Sequence, residues 1–296
     1  MDTLKGTTAF ITGAARGVGL GIARSLARRG CALALTDLDA EALDTAAAEL
    51  AATARVRVFR LDVRDRAGFA RVADEAEEAL GPVSVLCNNA GIAFPETAED
   101  MAYELWDLAL DINLGGVVNG VQTFLPRMLA RGGPGHIVNT ASAAGLVART
   151  GPMYTASKFA VVGLSESLRG QLEAAGHPVG VTVLCPGGVA SAIGASTRAV
   201  LDAAHGGPAF ERARTRLRRA APAIDSTLAE MGVAPDRVGE QVADAVLADR
   251  SHVLTDRAGI DLIRARTATL LASMPAADTT DATFERFRSA VGEDGR

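Results

Sequence analysis

Tyr154 and Lys158 stand four residues apart in Tyr154-Thr155-Ala156-Ser157-Lys158, in a chain with only two tyrosines and two lysines. Residues at i and i+4 share one face of a helix. An ammonium beside a phenol favours the phenolate and draws the tyrosine pKa down from about 10, giving a proton donor and acceptor usable near neutrality. The spacing also fits an ordinary helix with one aromatic residue and one solvated lysine, so its meaning depends on the rest of the chain.

A second chemical signal lies near the N-terminus. Thr12-Gly13-Ala14-Ala15-Arg16-Gly17-Val18-Gly19 follows an apolar strand pattern and opens a helical one at Leu20–Arg29. Glycines at such a turn let the backbone approach a pyrophosphate, which then rests on the helix N-terminus. The spacing is GxxxGxG, not the GxGxxG fingerprint. Asp37 ends the next strand pattern, about 20 residues further on, where a carboxylate accepts hydrogen bonds from an adenosine ribose and repels a 2′-phosphate. Leu38 follows it, not an arginine, and the balance favours NAD over NADP. Arg16 is the one residue of the turn that favours an extra phosphate. Asp37 also fits a helix N-cap, although Asp39 is placed for that job too.

These residues must be positioned by a sheet. Strand patterns at Thr7–Thr12, Cys31–Thr36, Val56–Leu61, Val83–Asn88, His136–Thr140, Val179–Cys185 and His252–Thr255 alternate with helical ones at 17–29, 40–52, 66–80, 99–130, 152–175 and 236–248. Fully apolar strands separated by helices predict an α/β chain, a single Rossmann-type doubly wound parallel sheet of about seven strands with helices on both faces. Residues 1–255 read as one dinucleotide-binding and catalytic domain with an insertion at 189–234, and 256–296 as a helical extension near Ala258–Ser273 with a polar tail from Ala277.

Composition narrows the function classes. The chain has 296 residues, 48% hydrophobic and 22% charged, with a net charge of −5. That suits a globular protein with a large core and argues against a nucleic-acid partner. No apolar run approaches the roughly 18 residues of a membrane span. The start Met1-Asp2-Thr3-Leu4-Lys5-Gly6 enters a strand pattern at once and leaves no room for a signal peptide. Cys31, Cys87 and Cys185 are dispersed in apolar segments. An odd, scattered set reads as reduced thiols in cytoplasm, and the four histidines join no cysteine at metal-ligand spacing.

Further motifs follow in order: Leu61-Asp62-Val63, Asn88-Asn89-Ala90-Gly91, Asp111-Ile112-Asn113, Asn139-Thr140-Ala141-Ser142-Ala143-Ala144-Gly145, and Cys185-Pro186-Gly187-Gly188-Val189. With the glycine turn and the Tyr-Lys pair, the chain resembles the short-chain dehydrogenase/reductase family from Thr12 to about Val189, with a family-like ending to about Thr255. The resemblance implies that Tyr154 exchanges a proton with the substrate oxygen, and that Lys158 holds its pKa down and bonds the nicotinamide ribose. It gives Ser142 the substrate oxygen and Asn113 a water relay behind Lys158. Cofactor contacts implied are Gly13, Arg16, Gly17, Val18 and Gly19 at the turn, Asp37 and Leu38 at the ribose, and Asp62 and Val63 at the adenine. Asn89, Ala90, Gly91, Tyr154, Lys158, Pro186 and Val189 complete the set. Other readings are a helix-bending Asn113, capping roles for Ser142 and Asp62, and a tight turn at Gly91. Ser142 lies 12 positions before Tyr154, one fewer than the family leads one to expect, and Ser191 stands where threonine is frequent. The resemblance also implies a homodimer or homotetramer.

The substrate side draws on loop 143–153 and the insertion, with Leu146, Val147, Met153, Ile193, Val200, Leu201 and Phe210 as apolar lining and His205 as a candidate polar contact. Such a lining favours a hydrophobic secondary alcohol or ketone. Arginines at 212, 214, 216, 218 and 219 fit either capture of an anionic substrate or a solvated helix face. The leading expectation is a NAD-dependent oxidoreductase. An NADPH-dependent biosynthetic ketoreductase and a non-catalytic nucleotide-binding protein are the alternatives.

Overall fold

Residue alternation along β1 (Thr8–Thr12) explains why the strand reads as one apolar run: Phe10 and Ile11 point to opposite faces, and each enters a separate core. The computed structural model describes residues 1–93, 96–148, 151–204 and 206–275, with 285, 286 and 289. Within it, β1 joins β2 (Ala32–Asp37), β3 (Val56–Arg60), β4 (Val83–Asn88), β5 (Gly135–Thr140), β6 (Val179–Cys185) and β7 (His252–Leu254) in a parallel sheet of order β3-β2-β1-β4-β5-β6-β7. The order reverses between β1 and β4. An open α/β sheet forms its ligand crevice there, outside the carboxyl ends of the strands.

On one face Phe10 packs with Phe69 of α3 (Arg66–Leu80) and Phe124 of α5 (Gly116–Arg131), ring centroids 5.7 and 4.7 Å away. On the other, Ile11 and Leu33 meet Ile22 and Leu26 of α1 (Gly17–Arg28) and Val242 and Val246 of α9 (Pro235–Leu247). There α1 and α9 approach so closely that a Cβ on Gly239 would lie 2.0 Å from the Gly21 carbonyl oxygen. The remaining helix of this half, α2 (Ala40–Leu50), is capped by Asp39, whose Oδ1 accepts from the Ala42 amide at 3.1 Å.

The continuous helix expected over 99–130 is a correction. A short 3₁₀ turn (Ala98–Asp100) precedes α4 (Tyr103–Leu110), and a π-helical turn at Asp111–Gly115 separates α4 from α5. An extra residue in the turn re-aims its side chains, and such turns gather at functional sites. The π turn carries Asn113. Downstream, α6 (Pro152–Ala174) bears the Tyr-Lys pair, and the insertion folds as α7 (Ile193–Ala203) and α8 (Pro208–Met231), closed by a parallel bridge between Val189 and Val233.

The chain divides into two compact units, Met1–Arg257 and Ala258–Arg296. The second contains α10 (Ile260–Ala272). The tail expected from Ala277 lies almost wholly outside the described residues, as do His205 and residues 149–150 of the loop before α6.

Candidate active site

Helix α6 starts on Pro152, whose missing N–H costs nothing at a first helical position. Tyr154 and Lys158 follow on one face of its first turns, and the Lys158 Nζ lies 5.8 Å from the Tyr154 ring centroid. Lys158 is 3% exposed and donates to the Thr140 carbonyl at 3.1 Å. Burial lowers its pKa to about 8. The expectation that lysine depresses the phenol needs correcting for the protein alone. Burial raises the Tyr154 pKa, a Ser142 side-chain hydrogen bond offsets part of the rise, and the Glu96 charge adds to it. Desolvation of the phenolate outweighs an ammonium that points at a carbonyl instead of the phenol oxygen.

The other expected catalytic groups converge here. Ser142 ends the segment after β5, and its hydroxyl accepts from the Ala144 amide at 3.1 Å, capping the 3₁₀ turn Ala143–Gly145. It thus caps a turn and bonds the phenol together. Asn113 is 1% exposed; its Oδ1 accepts from the Ile92 amide at 2.9 Å, and its Nδ2 donates to the Ile92 carbonyl and to Ser157 Oγ, both at 3.1 Å. A Cβ at Gly91 would lie 3.1 Å from Asn113 Oδ1 and 3.3 Å from Lys158 Nζ. Both side chains therefore flank one glycine. Thr140, whose carbonyl holds Lys158, and Ser157, which anchors Asn113, were not singled out in the sequence because neither belongs to a spacing pattern of its own.

At the nucleotide end, Gly13 and Gly17 have positive φ values of 63° and 54°. A Cβ at Gly19 would meet the Gly13 carbonyl oxygen at 2.1 Å, so the turn folds tightly on itself. The N-cap residue of α1, Arg16, makes no side-chain cap hydrogen bond, and the positive dipole end of the helix faces this turn. Asp37 Oδ2 accepts from the Ala15 amide at 3.2 Å, which fixes this carboxylate against the turn. Arg16 pairs with Asp39. Leu38 is 38% exposed beside them. Asn89 stitches strand ends together, its amide nitrogen donating to the Thr12 and Gly13 carbonyls at 3.1 Å each. The Asn89 and Ala90 backbone N–H groups both donate to Thr12 Oγ1.

Asp62 and Val63 have different partners. Asp62 is paired with Arg64 at 2.6 Å, and the cap of α3 is Asp65, accepting from Gly68 at 3.0 Å, so Asp62 does not cap that helix. The buried Val63 presents its carbonyl to Asn119 Nδ2 at 2.8 Å. The Pro186 carbonyl accepts from Ala143 at 2.7 Å, and Val189 enters the bridge that closes the insertion.

On the substrate side, Met153 (0% exposed), Leu201 (0%) and Phe210 (4%) belong to the buried core, a correction to their reading as lining. Leu146, Ile193 and Val200 remain partly exposed, while Val147 is buried. The arginines of α8 divide. Arg214 donates to the Leu201 carbonyl at 2.8 Å and to that of Ala204, and Arg218 pairs with Asp202 at 3.1 Å. These two clamp α8 onto α7; Arg212 and Arg219 are exposed. Asp225, also missed, accepts from the Gly194 and Ala195 amides at 2.8 and 2.9 Å and so caps α7 from α8.

The family model described as short chain dehydrogenase matches residues 7–201. The chain belongs to the short-chain dehydrogenase/reductase family. It is 39% identical over 202 residues to a C alpha-dehydrogenase of a Sphingobium strain, covering 67% of this chain and 65% of that one. It is 38% identical over 195 residues to 1-deoxy-11-beta-hydroxypentalenate dehydrogenase of Streptomyces exfoliatus, covering 63% and 68%. The solved short-chain dehydrogenase/reductase from Burkholderia phymatum, in complex with NAD, superposes with a TM-score of 0.81 at 33% identity, covering 94% and 99%. The protein is thus an oxidoreductase of this family with a nicotinamide cofactor and a small-molecule substrate. Among the described residues no helix is long and apolar enough to cross a membrane, and no cluster of His, Cys, Asp or Glu has metal-binding geometry.

Proposed function

We propose that the protein is a NAD-dependent dehydrogenase that interconverts a secondary alcohol and its ketone, with Tyr154 moving the proton. The observation that carries this reading is the meeting of the Tyr154 phenol, the Ser142 hydroxyl and the buried Lys158 ammonium at the carboxyl end of β5. Oxidised NAD, when bound, would supply the hydride acceptor. Ser142 holds the substrate oxygen against Tyr154, which takes the alcohol proton during oxidation and returns it during reduction. Lys158 keeps donors free beyond its Thr140 bond to hold a ribose hydroxyl and to stabilise the phenolate. Asn113 keeps Ile92, and with it the Gly91 turn, fixed beside that ammonium while supporting a water relay behind it.

The residues suit NAD. The uncapped α1 N-terminus suits the pyrophosphate, and Asp37 is fixed where ribose hydroxyls would bind. Arg16, the residue of the turn that would favour a 2′-phosphate, is engaged with Asp39. Partly exposed Leu146, Ile193 and Val200 favour an apolar substrate body, and the relatives' names describe dehydrogenases, one of a hydroxypentalenate. The test is a panel of secondary alcohols and ketones followed by nicotinamide absorbance with NAD and NADP. Wild-type turnover with NAD is expected, together with its loss in Tyr154→Phe and a shift toward NADP in Asp37→Asn. Full turnover by Tyr154→Phe would overturn the mechanism.

A further inference from the structure

Glu96 lies in the segment between β4 and α4, belongs to no motif of the nucleotide or Tyr-Lys pattern, and is 8% exposed. Its Oε1 accepts from the Tyr154 amide at 2.9 Å, and its carboxylate accepts from the Met153 amide as well. These are the second and third amides of α6. The N-cap residue, Gly151, has no side chain to offer them, and Pro152 has no N–H. A Cβ at Gly151 would lie 2.3 Å from the Glu96 carboxyl carbon. Glycine at 151 therefore makes room for a cap delivered from another segment. Among the described residues the second oxygen, Oε2, is buried without a hydrogen-bond partner. A buried carboxylate oxygen left unpaired is costly, so packing alone does not account for an acid at this position.

We propose that Glu96 is a positioning residue for Tyr154: its carboxylate clamps the first turn of the catalytic helix from the β4 side and so fixes where the phenol stands. The inference rests on the proton-transfer role of Tyr154 argued above. Tyr154 is itself the third residue of α6, so a frayed first turn displaces the phenol directly, whereas Lys158, one turn further on, keeps its helical hydrogen bonds. The charge of Glu96 also acts on the phenol, raising its pKa. Around this pair, Lys158 faces Tyr154 from the same helix, Ser142 bonds the phenol from the end of β5, and Glu99 sits on the turn before α4 under the influence of Arg216 of α8.

Two substitutions separate the clamp from bulk stability. Glu96→Gln keeps an amide oxygen to accept the two N–H groups and removes the charge; Glu96→Ala removes both. With the best alcohol of the panel, assayed well below the unfolding midpoint, Glu96→Ala is expected to lose at least tenfold in kcat while its NADH dissociation constant stays within twofold. Glu96→Gln is expected to recover kcat to within threefold of wild type. A second readout needs no substrate. Because the chain has two tyrosines, carbon-13 at the tyrosine ζ position gives two signals, and the one missing in Tyr154→Phe belongs to the active site. Its titration midpoint is expected to fall in Glu96→Gln, since a negative charge has left the neighbourhood of the phenol. Wild-type kcat in Glu96→Ala, no recovery in Glu96→Gln, or an unmoved tyrosine midpoint would each overturn the proposal. If Tyr154→Phe is inactive while Glu96→Ala keeps full kcat, the Glu96 inference alone fails. If Tyr154→Phe is fully active, the catalytic reading fails first.

Discussion

The glycine turn after β1 and the paired helices α7 and α8 after β6 both leave the carboxyl end of the sheet, yet they are held by different means. The turn is built from backbone: positive φ at Gly13 and Gly17, a Gly19 that tolerates no Cβ, and strand ends stitched by Thr12 and Asn89. The helices are held by side chains from one to the other, with Asp225 capping α7 and Arg214 and Arg218 reaching back to it. A backbone cradle presents its N–H groups to any pyrophosphate and leaves few positions free to change. Side-chain clamps allow the enclosed surface to vary while the helices stay paired. The difference suits the proposed division, with the cofactor at the turn and the substrate at the helices.

Substitutions can test that division. The largest effect belongs to neither half: Tyr154→Phe is expected to lower kcat by about 10²–10⁴-fold, the usual worth of a positioned acid–base group, with NADH binding unchanged. Next is Gly19→Val, which forces a side chain against the Gly13 carbonyl. NADH fluorescence titration should show at least about tenfold weaker binding, roughly 1.4 kcal/mol, with helix content retained. Equal binding would mean that the turn does not hold the cofactor.

Lys158 gives a signed pH effect. Its folded pKa of about 8 lies below the unfolded value of 10.5. Between these values the unfolded chain holds more protons than the folded one, so stability contributed through this group rises with pH across that window. Denaturant titrations at pH 8 and pH 10.5 should therefore show wild type gaining on Lys158→Met. On the proposed mechanism activity should move the opposite way above pH 8, as the Lys158 ammonium is lost. Smallest is Asp225→Ala, which removes a cap worth about 1 kcal/mol from α7. A higher KM for the alcohol with an unchanged NADH dissociation constant is expected. A change in NADH affinity equal to that in KM would erase the distinction between the two halves.

Much of the framework was legible beforehand because its signals are local. Apolar strands alternate with helical periodicity, glycines mark the turn, and Asp37 closes β2 at the ribose distance. The break at Asp111–Gly115 escaped because an isolated Gly115-Gly116 pair is tolerated inside a helical pattern, and the apolar period runs on through it. The buried side chains near the site were hidden for a related reason. Met153, Leu201 and Phe210 are apolar residues near the site in sequence, and only packing distinguishes a core side chain from a lining one.

By itself the sequence determined the order of strands and helices, the Tyr154–Lys158 spacing on one helix, and the glycine turn after β1, since each depends on neighbours a few positions apart. The tertiary structure decided what those residues experience. It buried Lys158 and turned its ammonium to Thr140, raised the Tyr154 phenol by desolvation, and delivered carboxylates 58 and 31 positions away, Glu96 to Tyr154 and Asp225 to Gly194. Burial and electrostatic field are sums over everything nearby in space. Groups that distant in the chain become neighbours only after the sheet has formed.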